Sequence, residues 1–259
     1  FFKSFPNINE IFDIAIIATT ANCRYEILHE IKKRYIVKNF ILEKVLAQSI
    51  SQIKMIKELL KHDKKIWVNT PRRCVNWHKK IKSNFFEDTD KPLNVIIRGG
   101  DWGLACNAIH FLDLVAWWTN SKLKKVNSDG IKIWFESKRS GFYDAYGIIE
   151  AHYYDGSCLK MVSEEKKKSP NIKVRNSKQI FEIIETAGFA SSSTGLKILG
   201  ENEFQSSLTS KIVKDLLNND DPGLVSLNES VEHHLLLIDS LLKSWNKLKC
   251  NSDEILPIT

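Results

Sequence analysis

Apolar positions along the first seventy residues alternate between two spacings. Phe12 to Ala18 (FDIAIIA) is a short, nearly continuous β-branched run, the pattern of a parallel strand covered on both faces. Arg24 to Lys33 follows with Ile27, Leu28 and Ile31 at helical spacing, and Val37 to Leu42 (VKNFIL) reads as the next strand. Ser49 is placed to cap an amphipathic helix running to His62, in which Ile53, Ile56, Leu59 and Leu60 recur at the helical period. Ile66 to Asn69 makes a third strand. Strands and helices alternating in this way predict right-handed crossovers in a parallel sheet, with ligands at the carboxyl ends of the strands. Those ends carry Thr19, Thr20, Glu43, Lys44, Asn69 and Thr70.

After Pro71 the rhythm changes. A helix around Trp77 to Ile81 and a loop rich in Asp and Pro precede a strand at Leu93 to Arg98, and a longer helix spans about Leu104 to Trp118. Tyr146 to Tyr154 and Ser157 to Ser163 flank Asp155-Gly156, a strong hairpin signal. Further strands are predicted at Gly130 to Glu136, Ile172 to Asn176, Gln179 to Glu185 and Gly195 to Leu199, and helices at Ser207 to Asn218 and Leu227 to Leu248. The fold class is therefore α/β: a parallel part over residues 1–69, then an α+β domain over 70–259 with an open, mainly antiparallel sheet.

Composition narrows the classes of function. Of 259 residues, 43% are hydrophobic and 27% charged, with 11 Gly and 6 Pro, which excludes disordered, collagen-like and low-complexity chains. No apolar run approaches the roughly 20 residues of a membrane helix, so no membrane partner is expected. Five scattered cysteines without a C-x-x-C pair argue against a disulfide framework and fit a reducing cytoplasm. The chain opens at Phe1 without a basic and then apolar leader pattern, so no signal peptide is expected. The net charge of +7 invites a nucleic-acid reading, but basic residues such as Lys54, Lys57 and Lys61 are interleaved with acidic ones, and no nucleic-acid partner is expected.

Two groups could carry chemistry. Glu43-Lys44 lies just past a buried strand, where a lysine at the mouth of a crevice can donate to a substrate hydroxyl or exchange a proton with it. Alone, it equally fits a strand-ending lysine with its stem packed on the sheet. The helix with Asn107, His110 and Asp113 spaces an amide, an imidazole and a carboxylate at i, i+3 and i+6, which predicts one polar face able to relay a proton. A core histidine bonded to a backbone carbonyl is the alternative. His110 with Asp113 lacks a third ligand at helical spacing, and His233 and His234 are adjacent, so no metal is expected.

The succession "DIAIIATTANCRYEIL", "FILEKVLAQS", "WVNTPRR" and "GGDWGLACNAIHFLDLVAWW" resembles the family of oxidoreductases that includes glucose-fructose oxidoreductase and inositol 2-dehydrogenase (Gfo/Idh/MocA), over almost the whole chain. The resemblance implies a Rossmann domain binding NAD or NADP, here partial, and a second domain supplying substrate contacts and a homo-oligomer interface through its open sheet. It implies oxidation or reduction of a secondary hydroxyl on a sugar, nucleotide sugar or cyclitol. Glu43-Lys44-Val45 stands where the family has E-K-P, so Lys44 looks like the lysine holding the reacting hydroxyl, and His110 matches the histidine of D-x-G-x-H. Thr19, Thr20, Arg24 and Glu43 are placed toward the cofactor, and Arg73 (or Arg72), Trp102, Asn107 and Asp113 toward the substrate.

Departures qualify the resemblance. Val45 replaces the proline, Arg24 a common histidine, and Cys106 and Ala108 stand where the pattern has Asp and Gly, so that Asn107 or Asp113 must compensate for the lost carboxylate. No G-x-G-x-x-G precedes Phe12, and the strand-loop-helix unit that would carry it needs roughly 30 residues or more. Two expectations follow: a piece of a longer enzyme, or a catalytically silent sugar-binding or assembly subunit that has lost cofactor binding.

Overall fold

The computed structural model describes residues 10–86, 92–200, 203 and 205–259. The Asp- and Pro-rich loop expected before the fourth strand lies largely outside them. The chain runs β1 (Ile11–Ile17), α1 (Arg24–Arg34), β2 (Ile36–Leu42), α2 (Ile50–Leu59) and β3 (Ile66–Val68), as its alternating periodicity predicts. β1, β2 and β3 pair in parallel and in sequence order. The side chain of Ser49 accepts the Gln52 N–H at 3.2 Å and starts α2, which ends at Leu59 rather than His62. β2 is sealed from Asn39 onward, with Phe40 and Leu42 fully buried, while Ile36 and Lys38 at its start are exposed. β1 is not covered on both faces as its sequence suggests: it is the outer strand among the described residues, and Ile11 and Ile16 are exposed.

A single 3-10 turn at Pro71–Cys74 leads into α3 (Asn76–Phe85), β4 (Asn94–Gly100) and α4 (Leu104–Thr119). β5 (Leu123–Glu136), β6 (Tyr143–Tyr153), β7 (Cys158–Glu164), β8 (Lys168–Arg175), β9 (Ile180–Ile184), β10 (Phe189–Ser192) and β11 (Lys197–Leu199) follow, and α5 (Gln205–Leu217), β12 (Val225–Ser226) and α6 (Leu227–Lys249) close the chain. The large sheet has the order β11-β10-β9-β8-β4-β7-β6-β5. Only β4 and β7 pair in parallel; the other pairings are antiparallel, including the β6–β7 hairpin across Asp155-Gly156.

The chain does not keep to one sheet at a time. β12 returns to pair antiparallel with β3, and α6 packs on α2 and α4 as well as on β5. Trp245 of α6 meets Trp134 and Tyr143 edge-on, at 5.3 and 4.9 Å between ring centres. The last residues tie the two sheets together. Leu256 N–H donates to Gln48 O, the Gln48 side chain donates to Ile258 O, and Tyr143 N–H donates to Pro257 O. Leu256 and Ile258 are fully buried. α4, apolar almost all round, lies in the middle of this core, as a helix buried on every side should.

Candidate functional site

The carboxyl ends of β1 and β2 face the amino end of α4 across a cleft. One cavity of about 530 Å³ reaches from Thr19 across Glu43 and Lys44 to Cys106, Arg139 and Asp144. A second, of about 380 Å³, shares Glu43 and Lys44 and extends to Arg72, Asn107, His110 and Glu185. Lys44 and His110, far apart in sequence, therefore line one site, and Asn107 and Glu43 join them there. Lys44 Nζ donates to Cys106 O at 3.0 Å and to Asn107 Oδ1 at 3.2 Å, so α4 fixes where the ammonium sits. Burial pushes the His110 pKa well below its usual value, and the cations of Arg72 and Lys44 lower it further, so the ring is neutral at physiological pH. His110 Nδ1 is buried with no hydrogen-bond partner among the described residues.

The amino end of α4 is built around Asp144, a residue the sequence reading passed over. Its Oδ1 accepts the N–H groups of Ala105 (2.8 Å) and Ala145 (2.7 Å), and its Oδ2 accepts the Cys106 thiol. A carboxylate at a helix amino terminus is stabilised by the exposed amides and the dipole. This one arrives from a neighbouring strand because Gly103 occupies the cap position. Gly103 has φ 79°, and a Cβ there would lie 2.7 Å from Asn107 Nδ2 and 3.1 Å from Asp144 Oδ2, so only glycine fits the turn. Burial, and then the Asp144 charge, push the Cys106 thiol up to about 12, so it is a protonated donor and not a nucleophile. Nothing in the local pattern marked Asp144, which lies before the strand predicted from Tyr146.

Other predicted site residues are placed elsewhere. Asn107, His110 and Asp113 do not share a face. Each three-residue step falls about 60° short of a full turn, so Asp113 lies about 120° round from Asn107. Asp113 is buried against the 3-10 turn, where it accepts the Thr70 hydroxyl at 2.9 Å and pairs with Arg73. Arg73, which also pairs with Glu229, thus points away from the cleft, and Arg72 is the arginine that lines it. Trp102 lines neither cavity. Its indole donates to Val162 O and packs edge-on to Phe111, while its carbonyl accepts the Asn107 amide at 2.8 Å and so orients that side chain.

On the side of the parallel sheet, Thr19 lines the first cavity, and its hydroxyl is buried without a hydrogen-bond partner among the described residues. Thr20 turns toward Cys23, 3.6 Å from its sulfur. Arg24 is fully buried and donates to the carbonyls of Thr19, Val45 and Leu46, so it braces the strand ends instead of reaching the cleft. Burial lowers its pKa to about 10, with Glu43 and Cys23 opposing that drop, so it stays charged at neutral pH. Glu43 accepts the Asn69 amide at 2.7 Å, and the peptide between Lys44 and Val45 is cis.

Deeper in the second cavity, Glu185 follows β9 and was not marked by any sequence pattern. Arg72 pairs with it through two hydrogen bonds of 2.8 and 3.0 Å, and His78 Nε2 lies 2.9 Å from it. Burial alone would raise the Glu185 pKa, but Arg72 and His78 outweigh that effect and hold it well below the usual carboxylate range. The Arg72 guanidinium also stacks 4.1 Å from the centre of the Phe111 ring.

No protein-family profile matches this sequence, and no curated protein matches it. Solved structures do share its fold. Biliverdin reductase from Synechocystis, solved with biliverdin and NADP+, superposes with a TM-score of 0.69 at 12% identity, over 88% of this chain and 78% of that one. The super-repressor mutant of Gal80p from Saccharomyces cerevisiae gives 0.66 at 14% identity, over 92% and 78%. UDP-N-acetylglucosamine 3-dehydrogenase GnnA from Acidithiobacillus ferrooxidans gives 0.63 at 10% identity, over 88% and 77%.

Proposed function

Starting from a two-sheet fold that is that of the Gfo/Idh/MocA-type dehydrogenases, we propose that the cleft is the reaction site of an NAD(P)-dependent oxidoreductase acting on a secondary hydroxyl of a sugar, nucleotide sugar or cyclitol. The observation that carries this reading is the convergence of Lys44 and His110 on one cavity at the carboxyl end of β2. The residues present fit the nicotinamide end of such a cofactor: Thr19 brings an unpartnered buried hydroxyl to the strand end, and Ala18 and Glu43 line the same space. The sequence holds no G-x-G-x-x-G, so it offers no glycine loop for the pyrophosphate. When bound, the nicotinamide would supply the hydride acceptor or donor.

The chain's own residues would handle the hydroxyl. An ammonium has three N–H donors, and Lys44 places one on the Cys106 carbonyl and one on the Asn107 amide, which leaves one for a substrate oxygen. His110 is neutral and would relay the hydroxyl proton as the carbon is oxidised; burial and the cations of Arg72 and Lys44 disfavour the protonated ring, so the proton would pass on to solvent in the open cleft and not rest there. Asn107 is locked by the Trp102 carbonyl, so Lys44 is held in place before any substrate arrives. Copies would associate through the outer face of the large sheet, where Ile96 and Ile133 are exposed beside the Glu150–Lys160 and Lys173–Glu182 ion pairs.

A second reading, a silent sugar-binding or assembly subunit, draws support from Cys106 in place of a carboxylate and from the likeness to a protein named as a repressor. Titration with NADH and NADPH, followed by nicotinamide fluorescence, separates the two readings, because a silent subunit gives no change with either. With turnover in hand, Lys44→Ala should lower kcat about a hundredfold or more. A rate within about threefold of the wild type would remove Lys44 from the chemistry.

A further inference from the structure

The part of the cleft beyond Lys44 carries a basic pair that the reaction does not use. Lys138 and Arg139 sit at the tip of the hairpin between β5 and β6, and both line the cavity that holds Lys44, Asp101 and Asp144. Every carboxylate there is engaged by a neutral donor. Asp144 accepts two backbone N–H groups and a thiol, Glu43 accepts the Asn69 amide, and Asp101 accepts the Tyr146 hydroxyl at 3.2 Å. Among the described residues, none forms an ion pair with Lys44, Lys138 or Arg139. Three cations therefore face one space without a direct ion pair, their donors uncommitted to the three carboxylates that share the lining.

The hairpin is also held in shape. Ser137 N–H donates to Phe142 O, Phe142 N–H to Arg139 O, and the Ser137 hydroxyl accepts the Arg139 N–H at 3.2 Å. Gly141 N–H donates to Glu136 Oε1 at 3.0 Å. At its base, Phe135 stacks on Tyr146 with ring centres 4.2 Å apart, and Tyr146 is itself tied to Asp101. The tip is presented to the cavity without needing to be ordered by a ligand, which lowers the entropy cost of binding.

We propose that Lys138 and Arg139 form an oxyanion subsite that takes a phosphate or carboxylate group of the substrate while its hydroxyl lies at Lys44. This rests on the oxidoreductase reading and narrows it from sugars and cyclitols in general to their anionic derivatives. Arginine and lysine beside a cavity suit phosphate and carboxylate, the first through its planar fork and the second as a point charge.

The test is calorimetric titration of the full chain, at low and at physiological salt, with uridine diphosphate as a phosphate source, glucuronate as a carboxylate source, glucose as a neutral control, and NADPH. One of the two anions should bind the wild type, weaken as salt rises, and lose about tenfold or more in affinity in the double variant K138A/R139A. K138E/R139E should deepen that loss, and glucose should not distinguish any of the three proteins. Both positions are exposed, and thermal melts of the variants serve as the check that they fold. The proposal is overturned if neither anion binds the wild type, or if the double variant binds the anion within about twofold. It is also overturned if only NADPH binding suffers, since the pair would then serve the cofactor. Anion binding that depends on the pair, without any nicotinamide signal, would instead leave the subsite standing and remove the oxidoreductase reading.

Discussion

Arg24 offers the sharpest energetic test of how the cleft is built. Its guanidinium is fully buried, makes no ion pair among the described residues, and donates from its two terminal nitrogens to the carbonyls of Thr19, Val45 and Leu46, while Nε has no partner there. Two of those carbonyls directly follow Lys44, and the third belongs to the end of the adjacent strand β1. Hydrogen bonds from a charged donor contribute about 1.5–3 kcal/mol each, so three give about 5–9 kcal/mol. Burial offsets part of this: a fall from 12.5 to about 10 corresponds to about 3 kcal/mol at 1.4 kcal/mol per pKa step. Arg24→Met removes both contributions and leaves three carbonyls unpaired, for a net loss of about 2–6 kcal/mol. For a chain of this size that lowers Tm by roughly 4 °C at the least and about 20 °C at the most, readable by circular dichroism. Arg24→Lys, whose ammonium reaches fewer of the carbonyls, should fall between the two. Because the Lys44 backbone loosens with the brace, kcat should drop about tenfold with KM less affected. An Arg24→Met protein that melts within about 2 °C of the wild type would refute the claim that this buried cation braces the strand ends at the cleft.

Two further outcomes follow from the charges of the second cavity. Glu185 has a folded pKa below its unfolded value, so its contribution to stability is present in full above about 4.5, the ordinary carboxylate value, and is lost as pH falls through the folded value; Glu185→Gln should therefore flatten the acid limb of a stability-against-pH curve and lower stability at neutral pH, as measured by urea unfolding. Arg72 depresses the His110 pKa, so Arg72→Gln should raise it, seen as an upward shift in the midpoint of the His110 ring-proton titration by NMR; an unchanged or lower midpoint would show that burial alone sets that ring's proton affinity.

The parallel strands and their helices were legible because they are local and periodic: β2 reads from its apolar run, and α2 from a capping serine followed by a helical stripe. β10 and β12 escaped notice because four-residue and two-residue strands carry too little pattern, and β12 exists only because β3 offers it an edge. Lys44 and His110 could be placed by motif order, and Asn107 only by its neighbourhood. Asp113 could not, because i+6 resembles a shared face on paper while the helix turns it toward Thr70 and Arg73. Arg24, Asp144 and Glu185 take their roles from contacts 20 or more residues away in sequence, where composition and spacing are silent.

The final strand of chain from Leu256 to Thr259 acts as a rivet. Its main chain is fastened to Gln48 on one side and to Tyr143 on the other, and Thr259 Oγ1 accepts the Ala21 N–H at the rim of the cavity. Swinging one sheet away from the other would tear these bonds and expose two sealed aliphatic side chains, at about 1.5–3 kcal/mol for each side chain alone. The mouth is thus a slot of set width and not a pair of jaws. A molecule that enters must already match it, and selectivity rests on shape met at the door instead of on an embrace formed afterwards.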